Sequence, residues 1–257
     1  MQALTLTFAA LSSGVFLLGA QAPTTTKYRI DQRTDQELDG AAIGQPKQSA
    51  SGGSSMFVTL TMTDSAGGRS ARLVVDSAVA DTGALSAVMQ PALDSLKGQA
   101  YHAFINNGKV TDVKAMKAGA IATASVTGLF NAVAPRVRNG AKVGAAWTDT
   151  TDVSNEAAGS SMKSRTVTNY KATGMETRAG VKALKVEGAA SSALSGSSQG
   201  GTIEGTGTGA STFYVGPDGL LVSLSQTSNA TLAYTVPQAA EPIPVTVKTH
   251  VMVIALR

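Results

Sequence analysis

Residues 196–209 read GSSQGGTIEGTGTG, and the stretch runs on through ASTFYV to Val215. It decides the fold because it admits three readings: an active-site loop, a flexible linker or part of a sheet. Gly196-Ser197-Ser198-Gln199-Gly200 matches G-x-S-x-G, the elbow that exposes a serine nucleophile between a buried strand and a helix. Neither flank fits that elbow. Ser191 to Ser198 is a small-residue run that reads as a loop, and no helical pattern follows Gly200. From Thr202 onward the residues sort by parity instead. Ile203, Gly205, Gly207, Gly209, Phe213 and Val215 are odd, whereas Thr202, Thr206, Thr208 and Thr212 are even. Successive side chains of a strand point to opposite faces, so the glycines share one face and the threonines the other. The glycine face also carries the large apolar residues and is assigned inward. Three glycines in line leave a trough that another backbone or a ligand can approach closely.

The same period of two extends through most of the chain. Met56, Val58, Leu60 and Met62 alternate with threonines, and Ala71, Leu73 and Val75 repeat the pattern after a Gly67-Gly68 turn. Asn107-Gly108 supplies the positive-φ pair of a type I′ turn between 99–105 and 109–113. Pro217-Asp218-Gly219 makes another turn. Further strands are expected at 27–38, 164–172, 181–187, 229–236 and 243–256, with polar loops at 41–55 and 155–161. Hairpin after hairpin predicts an antiparallel, mainly β fold (α+β by strict count): a strongly curved sheet or half-barrel.

One segment breaks this pattern. Between Ala115 and Ala134, Met116, Ala120, Ile121, Ala124, Phe130 and Val133 recur at three- and four-residue steps before Pro135. The spacing predicts one long helix over about 115–134. Gly119 and Gly128 make it slim, so it is expected to lie across the glycine trough.

Composition narrows the function. The formal charge is +4, but the 21 Lys and Arg are dispersed and aromatics make up only 5%, which argues against a nucleic-acid face. The absence of cysteine removes thiol catalysis, disulfides, Cys-based zinc sites and a lipid-anchoring lipobox. Residues 1–26 carry no charged side chain, and an apolar run ending in Ala20-Gln21-Ala22 reads as a secretory signal peptide cleaved between Ala22 and Pro23. The expected layout is therefore a signal peptide over 1–22 and a single β-rich domain over 23–257.

Little chemistry remains. Ser198, Asp218 and His250 stand in the serine-hydrolase order, so an esterase using Ser198 is a third reading. His102 and His250 are the only histidines, and a zinc site would need both plus Asp112 or Glu241. Both read more simply as solvated strand residues, so no metal site is assigned. Asp35, Glu37 and Asp39 read as a charged strand face. Gly205-x-Gly207-x-Gly209 lacks the continuation of a nucleotide-binding loop. No cofactor and no catalytic residue is assigned.

Two segments carry a resemblance: AYHAFINNGKVTDVKAM (100–116), leading into the helix, and TGTGASTFYVGPDGLLVSLSQTSNATLAY (206–234). Their ordering resembles a group of uncharacterised bacterial exported proteins and lipoproteins in which a curved antiparallel sheet half-wraps a helix, as in lipoprotein carriers. That resemblance implies handling of a lipid or other apolar ligand, and the missing lipobox cysteine departs from the lipoprotein members. The expectation is a non-enzymatic, exported envelope or periplasmic protein. Its ligand would be lined by Gly205, Gly207, Gly209, Phe213, Met116 and Phe130, between sheet and helix. The alternative is an envelope interaction module with a filled core and a protein partner.

Overall fold

The computed structural model describes residues 23–117, 124–134, 136–138, 140–157, 160–198, 200–237, 239 and 241–256. The expected signal peptide lies outside the described residues. Eleven strands form one sheet: β1 (Thr24–Leu38), β2 (Gln48–Ser65), β3 (Gly68–Ala80), β4 (Ala100–Asn106), β5 (Lys109–Ala115), β6 (Ala146–Ala157), β7 (Ser160–Arg178), β8 (Val181–Ser198), β9 (Gly201–Val215), β10 (Leu221–Thr235) and β11 (Ile243–Leu256). Their order is β5-β4-β3-β2-β1-β11-β10-β9-β8-β7-β6. Every neighbouring pair is antiparallel, so only β1 and β11 join distant parts of the chain. The sheet does not close, because β5 and β6 form no ladder with each other.

Curvature nevertheless brings distant parts together. Arg69, beside the β2–β3 turn, donates from Nη2 to the Asp218 carbonyl in the β9–β10 turn at 3.3 Å. Three strands separate β3 from β10 in the sheet. The inner face so enclosed is apolar at this end: Tyr28, Ile30, Val58, Leu60, Leu73 and Tyr101 meet Val186, Phe213, Leu221 and Val253 in one core.

The helix that plugs this core is shorter than its periodicity predicts. α2 spans Ala124–Val133, whereas Ala115 ends β5 and Met116 is exposed. Residues 118–123, including Gly119, lie outside the described residues. Ala115 pairs with Tyr101 of β4, so ladder hydrogen bonds claim the backbone that the helical spacing would have used. Val126, Leu129, Phe130 and Val133 repeat at i, i+3, i+4 and i+7 and are buried on one face. At ~2 kcal/mol per buried apolar side chain, that face outweighs the ~1 kcal/mol cost of Gly128 in the helix.

A second helix, α1 (Ser86–Leu96), has no counterpart in the expected elements. Its inward residues Met89, Leu93 and Leu96 pack on the core, although Pro91 stands mid-helix. Three expected loops are strands. Gln48–Ser55 belongs to β2, 155–157 and 160–161 belong to β6 and β7, and Ser191–Ser198 completes β8. In each case short polar side chains hide the strand, while the backbone pairs regardless of them.

Candidate functional site

The three glycines share one face of β9, as their spacing predicts. Gly205, Gly207 and Gly209 lie half-buried on the inner face of β9, flanked by Leu194 and Leu232, Ser192 and Ala230, and Ala190 and Ser228 on β8 and β10. The three nearest neighbours of a Cβ on Gly207 would be lateral ones, the Asn229 carbonyl at 3.2 Å and the Ser192 and Ala230 Cβ atoms at 3.6 Å. α2 does not lie across these glycines: Gly128 faces solvent, with nothing within 4 Å of its ideal Cβ position. The six expected lining residues are therefore not gathered. Phe130 and Phe213 sit together in the core, the glycines lie further along β9, and Met116 is on the surface. Beside Phe213, where α2 meets the sheet, a void of about 30 Å³ bordered by Ala132, Tyr170 and Leu224 has room for a water molecule and no acyl chain.

The triad residues are also apart. Ser198 ends β8 next to the β8–β9 turn, and Asp218 lies in the turn at the opposite end of β9, some 50 Å of extended chain away. His250 is exposed mid-strand on β11, opposite Arg33 and Thr227. His102, four strands from β11 in the sheet, shares a 2.9 Å hydrogen bond with Ser70. No cluster of metal-ligating side chains occurs among the described residues.

A broad cleft lies at the turn end of the sheet. The β2–β3 turn, the β4–β5 turn, the β9–β10 turn, the paired ends of β7 and β8, and residues 137–138 and 140–143 line it. The cleft measures about 950 Å³. Its floor is apolar, formed by Met62, Ile105, Val137, Leu184 and Val215, with Met175 on one wall. A bulge between Ala172 and Gly174 sets Met175 opposite Leu184. Arg69, Arg138, Lys142 and Lys182 stand around the rim against Asp64 and Asp218. Asp64 takes Arg69 at 3.0 Å, and no carboxylate of the described residues lies within ion-pair range of Arg138, Lys142 or Lys182. The rim therefore carries net positive charge over an apolar floor.

A smaller notch of about 210 Å³ adjoins this cleft and shares Asn107, Gly108 and Arg138 with it. It occupies the seam between β5 and β6. Gly108, at φ +79°, has its ideal Cβ position 3.0 Å from the Arg136 carbonyl carbon and 3.1 Å from the Val137 nitrogen. Only glycine there serves both the turn and the close approach of the 136–138 segment. Sequence reasoning found that turn. It missed the cationic residues, whose only local signal is Arg136-x-Arg138 directly after Pro135 in the sequence.

On the outer face, Tyr214 forms a separate polar cluster. Its hydroxyl donates to Glu176 Oε2 at 3.0 Å and accepts from Arg178 Nη2 at 2.8 Å, and the Arg178 guanidinium lies 4.5 Å from its ring centre. The Tyr214 hydrogen bond, then Lys185 and Arg178, hold the Glu176 carboxyl below its ordinary value. Lys185 is raised by its hydrogen bond with Glu187, 3.0 Å away.

No family model and no curated protein matches the chain. Among solved structures, a triple mutant of the Rh. blastica porin aligns with 91% of this chain and 100% of its own, at 11% identity and a TM-score of 0.22. That score carries no argument about fold or function. Among the described residues no helix is long and apolar enough to cross a membrane, which says nothing of strands.

Proposed function

We propose that this is a non-enzymatic, exported envelope protein that binds an apolar or amphiphilic ligand. The ligand occupies the cleft at the turn end, not the interface between sheet and helix. One observation carries this reading: a cleft of about 950 Å³ with an apolar floor, against a void of about 30 Å³ beside Phe213 among the described residues. Small-molecule sites are concave, mostly apolar and of roughly 300–1,000 Å³, with a few polar groups fixing orientation. Native mass spectrometry of the full chain after mild extraction tests it. A co-purifying apolar ligand, lost in Met175→Glu, supports the reading; an empty protein that takes up no added long-chain alcohol ends it.

An interaction module is the second reading, and the outer face favours it. Ile254 and Phe57 are each about 39% exposed and flank Arg29 on neighbouring strands, with Met252 and Leu256 alongside. Under that reading, Phe57→Ser with Ile254→Ser abolishes retention of envelope proteins and leaves the cleft unchanged.

A further inference from the structure

We infer that the notch between β5 and β6 binds a compact oxyanion, the head of the amphiphile whose apolar part lies in the adjoining cleft. The inference deepens the proposed function and rests on it for the apolar part alone. Lys109 from β5 and Arg136 and Arg138 from the segment after α2 border one small space. Asp149 is the only carboxylate there, and it takes Lys109 at 3.7 Å.

The two guanidinium groups are held by neutral acceptors instead. Arg136 Nη1 donates to the Tyr170 hydroxyl at 3.4 Å, and Arg138 Nη2 donates to the Thr148 carbonyl at 3.5 Å. Tyr170 is itself fixed, stacked on Trp147 at 5.5 Å and edge-on to Phe213 at 5.8 Å. Each guanidinium thus has a neutral partner, and among the described residues neither has a carboxylate in ion-pair range. An arginine fork matches the paired oxygens of a phosphate or carboxylate, and such charge-assisted bonds are the strong ones. Arg138 also borders the cleft, so an anion held here has its substituent directed over the apolar floor.

Calorimetric titration of the full chain with dodecyl phosphate, 1-dodecanol and inorganic phosphate, below micelle-forming concentrations, tests this. Dodecyl phosphate is expected to bind about tenfold or more tightly than dodecanol, the worth of one charge-assisted hydrogen bond. Arg138→Gln and Lys109→Gln, both at exposed positions, should each erode that preference, and Lys109→Gln, which does not line the cleft, should leave dodecanol affinity unchanged. Equal affinities for the two dodecyl compounds overturn the notch and spare the cleft. Inorganic phosphate bound as tightly as dodecyl phosphate, with the same dependence on Arg138, keeps the notch and overturns the cleft reading. No binding by any of the three overturns both.

Discussion

Lys109 Nζ lies 3.7 Å from Asp149 Oδ1, although their strands β5 and β6 are the opposite ends of the eleven-stranded sheet. Laid flat, ten strand spacings would put those ends about 48 Å apart. The sheet therefore curls until its ends meet at one point, with the segment after α2 filling the seam. The ion pair is not what holds it there, because Lys109 is two-thirds exposed and such pairs contribute ~0–1 kcal/mol. Chemical denaturation should show Lys109→Ala within ~1 kcal/mol of the parent, whereas Phe130→Ala, which empties the plug, should cost ~3–5 kcal/mol. The opposite order would mean that the seam contact holds the curl.

The glycine trough offers a sharper contrast. A Cβ on Gly205 would clash with the Thr231 carbonyl oxygen and lie 2.6 Å from Leu232 Cδ2, whereas on Gly207 its nearest neighbour is 3.2 Å away. Gly205→Ala should lower the urea midpoint clearly, and Gly207→Ala should shift it little, since it also removes unfolded-state freedom. Equal losses at both positions would contradict this difference in lateral crowding.

Acid sensitivity follows from Glu176 and Asp94. Hydrogen bonds hold both carboxyls below their ordinary values, Glu176 through Tyr214 and Asp94 through Lys97 and then Gln90. A carboxyl depressed in the folded state stabilises it above the unfolded value and loses that contribution as pH falls through the folded value. Unfolding midpoints should hold steady from pH 7 to about 5 and decline below about 4.5. The decline should be shallower in Glu176→Gln. An unchanged pH profile in that variant would remove Glu176 from the account.

How much of this was legible in the sequence depended on range. Period-two alternation located ten of the eleven strands at least in part, because inside–outside sorting is local and survives even in the glycine-threonine run. Where both faces carried small polar residues, as in Ser191–Ser198, the alternation lost its contrast and the strand read as a loop. α1 went unread because Pro91 interrupts it, although Leu85, Met89, Leu93 and Leu96 keep a helical stripe. The cleft had no sequence signal of its own. Met62, Ile105, Leu184 and Val215 read as ordinary core positions, and only the curl of the sheet leaves them under an open mouth.

Trp147 gives the most direct test. It is the only tryptophan in the chain, and it borders the notch that adjoins the cleft. Excited at wavelengths that tyrosine does not absorb, the emission therefore reports on Trp147 alone. Titration with dodecyl phosphate should produce a saturable, one-to-one change in Trp147 emission, and Met175→Glu should abolish it without altering the unfolding midpoint. An emission that stays constant, or that changes equally in Met175→Glu, would contradict ligand binding at the turn end of the sheet.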